Sequence, residues 1–215
     1  AVTGMLSKEH PHPGFFSQYK NLYMNHIFNR LPERVSFLYG SIHAVRRRSW
    51  LPHGGDVSIA DDTALGQKIV SNGGAIAFLK NLEVVHLKKH GFWSFLKNDF
   101  QIPFDWAHIF VRYRGWRELG KNGGGFLHAP IWQLAAVALA PLVVVSAAAA
   151  SPSLLLPLSA AWFLLNTRMI FFFAREKGWL FGAAAIPVTF LDQLVMGAGI
   201  ACGFDADEAD GFVVE

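Results

Sequence analysis

Apolar residues recur at intervals of three and four from Phe15 to Leu31, "FFSQYKNLYMNHIFNRL", the spacing that lays one helical face against a core. From Val35 the pattern changes to "VSFLYGSIHAVRRRSW", which predicts a buried strand, a glycine bend, a second short strand and a basic exit. "DDTALGQKIVSNGG" predicts a helix with Leu65 and Ile69 on one face and Gly73 and Gly74 as its stop. "AIAFLKNLEVVHL" then returns as a strand ending at His86. Strands alternating with helices predict an α/β layer structure.

Beyond Leu127 the pattern changes scale. Pro130 to Ala150 carries no charge, Leu154 to Ala174 has only Arg168 near its end, and Trp179 to Cys202 has only Asp192. Each reaches the roughly 20 apolar residues that a helix needs to cross a hydrocarbon core of about 30 Å. Three membrane spans are therefore predicted. The small-residue stretch "GAGIACG" in the third suits a close helix contact. Asp192 is expected to face the interior and pair with a neighbouring helix.

Charge divides the chain at the same place. Residues 1 to 127 hold 16 Lys and Arg against 9 Asp and Glu, and residues 128 to 215 hold 3 against 7. Basic residues lie before the first span in "RYRGWRELGK" and between the second and third in "AREKG", while "SPS" and the tail "DADEADGFVVE" have none. The positive-inside tendency then predicts a cytoplasmic basic half and an acidic tail on the other side. The single cysteine, Cys202, excludes an intrachain disulfide or a cysteine zinc cluster.

From His86 to Trp116, Phe and Trp alternate with Lys and Arg, as in helices that lie in a membrane interface. Such a composition also binds nucleic acid, but three adjacent spans favour the lipid surface, and no nucleic-acid partner is expected. The expected organisation is an α/β portion over 1–90, an amphipathic interfacial segment over 91–127, a three-helix anchor over 128–203 and an acidic tail over 204–215.

The order "GSIHAVRR", "ADDTALGQKI" and "GGAIAFLKNLEVVHLK", followed by an aromatic basic segment and spans, resembles the C-terminal part of a family 2 glycosyltransferase. The resemblance covers Phe15 to Trp106 by motif and the anchor by architecture. It implies a GT-A fold and an inverting transfer from a nucleotide-sugar donor to a lipid or saccharide acceptor. Asp61-Asp62 with Leu65-Gly66 matches the family's "ED..LG" signature, with Asp61 where Glu is usual. Asp62 inherits the role of general base and Asp61 a supporting one. Read locally, the pair is also an ordinary helix cap. The resemblance puts Gly40 and Ser41 on the acceptor side, although a strand bend explains that glycine equally well. It also puts His86 near the metal or diphosphate, where an interfacial histidine is the alternative. Arg46, Arg47 and Arg48 suit a phosphate or a solvated run. "NDFQIPFDW" stands where processive members carry Gln-x-x-Arg-Trp. Gln101 and Trp106 remain candidates for acceptor binding, but the spacing differs and no Arg precedes the Trp, which argues for transfer of single sugars.

The family's donor half, with a strand-end Asp-x-Asp holding Mg²⁺ or Mn²⁺, has no counterpart here: no aspartate precedes Asp56, and the "DAD" at Asp205 to Asp207 follows the last span. The expectation is a C-terminal portion that supplies the base and the anchor and is inactive alone. A membrane scaffold or transport subunit, with Asp62 a cap and Asp192 the functional acid, is the competing expectation.

Overall fold

The computed structural model describes residues 1–47, 61–117 and 126–209, with the backbone alone for Asp61 and 206–209. Arg48 at the end of the basic exit, residues 118–125 of the interfacial segment and the extreme C-terminus lie outside the described residues. The described residues are mixed α/β: a small sheet, covering helices, and three helices long and apolar enough to cross a membrane.

The sheet orders its strands β2-β4-β1-β3, with β1 Val2–Leu6, β2 Arg34–Val35, β3 His43–Ala44 and β4 Ile76–Val84. β1 runs parallel to β4 and antiparallel to β3, and β2 runs antiparallel to β4. The periodicity of the sequence did not reveal β1, because five residues interrupted by Gly4 give too short a signal. That glycine is required: a Cβ there would stand 2.4 Å from the Leu82 carbonyl, where the β1–β4 register shifts.

The strand expected from Val35 stops at once. Phe37 and Leu38 leave the ladder because helix α2, Asp61–Ser71, lies against their main chain: a Cβ on Gly66 would meet Phe37 Cα at 2.6 Å and Leu38 N at 2.7 Å. Leu38 then packs with Leu65, Ile69 and Ile76. The Leu-Gly of "ADDTALG" is thus a core residue followed by a close-approach residue. α2 ends as its sequence requires, with Gly73 at φ +78° and the Gly74 N–H donating to Ile69 O at 2.9 Å.

Helix α1, Phe15–Phe28, is buried nearly all round. Its apolar side, including Leu22, Ile27 and Phe28, enters the main core. Its polar side is also enclosed, because Gln18, Asn21 and Asn25 donate to main-chain carbonyls of Leu6, Ser7, Lys8, His10 and His12. Three amides at helical spacing satisfy the carbonyls at the end of β1 and of the extended segment that follows it.

Helix α3, Phe92–Arg112, carries the aromatic and basic residues, and a single 3-10 turn follows at Gly115–Arg117. The anchor helices are α4 Ile131–Ala148, α5 Pro152–Lys177 and α6 Trp179–Ala209. α6 runs past the expected end at Cys202 and takes in the start of the acidic tail. Two of the three glycines of "GAGIACG", Gly199 and Gly203, serve a close contact, and their partner is α3. Cβ atoms on Gly199 and Gly203 would come within 2.3 Å and 2.5 Å of the Phe100 and Phe104 carbonyls.

Gly199→Ala should therefore force α3 off α6 and cost about 1–3 kcal/mol, the usual range for overpacking. Gly197→Ala is the matched control, since its Cβ would meet Val137 Cγ1 at 3.6 Å and Val137 O at 3.7 Å, both ordinary contacts. Thermal unfolding in detergent should separate the two variants; equal midpoints would count against the contact.

Candidate functional site

A cavity of about 270 Å³ lies between the sheet end, α1, α3 and the start of α4, and Gly40, Ser41, Asp62, His86 and Trp106 all line it. Its remaining lining includes Lys20, Tyr39, Lys88, His90, Asp99, His128 and Gln133. Segments as far apart in sequence as Leu6 and Met196 thus meet at one concave surface, with polar groups on an aromatic wall, the composition of a small-molecule site.

Asp62 stands in the first turn of α2, one residue inside it, so it is not the cap. Its Oδ1 accepts from the Thr63 N–H at 2.8 Å and the Thr63 hydroxyl at 3.4 Å, and the Gly40 N–H also donates to the carboxylate. A Cβ at position 40 would lie 2.8 Å from Asp62 Oδ2, so glycine is what lets the loop come so close. Burial raises the Asp62 carboxyl above the usual carboxylate range, opposed by these hydrogen bonds and by nearby His43. The Asp61 side chain lies outside the described residues.

The loop over Tyr39 to Ile42 is fixed from β1. Thr3, fully buried, donates its hydroxyl to Ile42 O at 2.8 Å and accepts the Tyr39 N–H at 3.0 Å. The Ile42 N–H closes the turn on Tyr39 O at 2.9 Å. Burial pushes the Tyr39 phenol up to about 12, against the Ser41 hydrogen bond, so it stays protonated as a donor.

His86 follows β4 by two residues rather than ending it. Its ring is half-buried, 6.4 Å from that of His10, and its pKa is lowered by burial first and then by His10 and Lys88. His10 and His12 direct ring nitrogens at the Lys88 and Leu87 carbonyls, at 3.2 Å each. His128 meets Trp106 edge-on at 4.4 Å and is enclosed by Phe28 and Phe37; burial lowers it to about 3, which keeps it neutral. His90, lowered to about 4 by burial and then the Lys88 charge, is held through its main chain by Ser17.

Gln101 does not line the cavity. It points along α3 and donates to Asp105 Oδ1 at 2.9 Å, because the turn that brings Asn98, Asp99, Ile102 and Trp106 inward carries position 101 to the side. Arg46 and Arg47 are exposed and outside the lining.

Sequence reasoning did not single out Lys20 and Asp99, which form a buried ion pair at one end of the cavity. Lys20 also lies 5.0 Å from the Tyr23 ring centroid, and Lys88 donates to Asn98 Oδ1 at 2.6 Å. Asp99 continues the network to Asp192 of α6, which accepts from the Tyr19 hydroxyl at 3.1 Å. The partners of Asp192 are thus on α1 and α3. A lone lysine in "SQYKNLYM" and a lone aspartate in "LKNDFQIP" were the available signals, but only the fold shows that they meet.

Among the described residues no three His, Cys, Asp or Glu side chains converge as a metal site. The described residues do not offer the set of oxygen ligands that a divalent ion needs. Comparison with known proteins gives no match among family models, curated proteins or solved structures.

Proposed function

We propose that the chain is the acceptor-side portion of a membrane-bound inverting glycosyltransferase of the GT-A type, working at the cytoplasmic face on a lipid or lipid-linked acceptor. The observation that carries the reading is Asp62: a half-buried carboxylate, oriented by the Thr63 and Gly40 N–H groups, opening on a cavity of mixed polar and apolar lining beside apolar helices.

In the proposed reaction the acceptor hydroxyl enters the cavity and directs its proton at Asp62. As its oxygen attacks the anomeric carbon of the donor, Asp62 takes that proton. The bond to the nucleotide diphosphate breaks with its electron pair on the leaving oxygen, and the anomeric centre inverts. A carboxyl raised by burial suits this role, because the ionised form has gained basicity while remaining accessible near neutral pH. Trp106 supplies an apolar wall against a sugar or lipid head. The Mg²⁺ or Mn²⁺ implied by the resemblance belongs, on this reading, with the nucleotide and the donor half.

The test is transfer itself. Membranes carrying the full-length polypeptide, supplied in turn with radiolabelled nucleotide sugars, should move label from at least one donor into the organic-solvent-extractable fraction, with inversion at the anomeric carbon. Failure of every donor to bind or to label lipid or saccharide would overturn the reading.

A further inference from the structure

Away from the cavity, a depression of about 820 Å³ lies where α5 ends and α6 begins, and three arginines line it: Arg30 from the end of α1, and Arg168 and Arg175 from α5. Among the described residues no carboxylate lines it. The ion pair at its edge, Arg175 to Glu176 at 3.2 Å, uses a glutamate that Lys8 also binds at 3.0 Å. Arg30 is aimed by donating to its own helix, to His26 O at 2.8 Å. Arg168 is close enough to Arg30 to disfavour its charge, after burial. Like charges gathered in this way call for an anion between them.

The surroundings say what kind of anion. Leu164, Arg168, Phe171 and Arg175 stand at i, i+4, i+7 and i+11 of α5, one stripe along a helix apolar enough to span a membrane. Leu164 and Phe171 are 71% and 55% exposed, and beyond the helix end Trp179 is 72% exposed. The Phe171 and Trp179 rings meet edge-on at 5.8 Å. Guanidiniums at a span end, with an interfacial tryptophan and an apolar stripe leading away from them, match an amphiphile that has a phosphate head and hydrocarbon chains. A soluble anion would have no use for the stripe.

We infer that this depression binds the phosphate of an anionic glycerophospholipid, with its acyl chains along the Leu164–Phe171 face of α5. The inference stands independently of the glycosyltransferase reading.

Native mass spectrometry of the detergent-solubilised full chain tests it, titrated separately with phosphatidylglycerol, with phosphatidylcholine of the same chains and with inorganic phosphate. Phosphatidylglycerol should be retained in preference to phosphatidylcholine, and inorganic phosphate should not displace it. The double substitution Arg30→Gln and Arg168→Gln should weaken retention by about thirtyfold, the effect of losing two headgroup contacts. Lys177→Gln, on the same helix but outside the depression, should leave retention unchanged. Equal retention of the two lipids, displacement by phosphate, or full retention by the double variant would overturn the assignment.

Discussion

Asp62→Asn in the full-length polypeptide is expected to lower sugar transfer by about 10²–10⁴-fold, the range for loss of a positioned general base. The amide is nearly isosteric and its oxygen can still accept the Thr63 N–H, so the fold should survive. The pH dependence sharpens the expectation. Burial raises the Asp62 carboxyl, so in the wild type the ionised, active form is lost as pH falls through a value above the usual carboxylate range. The acid limb of kcat/KM should lie correspondingly high. The same shift acts on stability with the opposite sense: the folded state holds this proton more tightly than the unfolded one, so ionised Asp62 costs stability as pH rises through that window. Above it, Asp62→Asn should be as stable as the wild type or more so. An inactive variant of undiminished stability is the signature of a base; a transport or scaffold subunit would tolerate Asp62→Asn and fail with Asp192→Asn.

Lys20→Met is expected to have the largest effect on stability, about 3–5 kcal/mol, because it leaves Asp99 buried with Asp192 beside it and only Lys88, which is hydrogen-bonded to Asn98, as a nearby cation. Asp99 is 1% exposed and the Lys20 side chain 12%, so solvent screens the pair little. Asp99→Leu should cost less, since Lys20 keeps Asp192 as a neighbour. The double variant Lys20→Met with Asp99→Leu should recover much of the loss, as apolar replacement of a buried pair often does. A double-mutant cycle read by denaturant unfolding in detergent measures the coupling. Additive single effects would show that the two residues act independently.

The elements that were legible in the sequence were those with a strong repeating signal. α1, α2 and the three long helices of the anchor follow from three-and-four spacing or from length of apolar run, and β4 from its β-rich segment between Gly74 and His86. Terminal glycines placed the end of α2 correctly. β1 and the fate of Phe37 and Leu38 were not legible, because a five-residue strand and a two-residue one have too few positions to set a period. Whether such a segment pairs is decided by what lies next to it, here the Gly66 face of α2.

The candidate site divides in the same way. Asp62, Gly40, Ser41, His86 and Trp106 could be named from the order of short motifs, and all five border one cavity. Gln101 was assigned by the same motif logic, and helical geometry turns it away. Lys20, Asp99 and Thr3 had no motif, since their importance lies in partners 79, 93 or 39 residues distant.

By itself the sequence determined the composition of the parts: which stretches are helical, which are apolar enough to span a membrane, and which carboxylates and glycines stand at element ends. Those properties depend on neighbours within a few residues. The tertiary structure alone decided the pairings: Gly199 and Gly203 of α6 against α3, Asp192 with Tyr19 and Asp99, and Gly40 against Asp62. Such contacts are fixed by the packing of whole elements, whose relative placement no local pattern encodes.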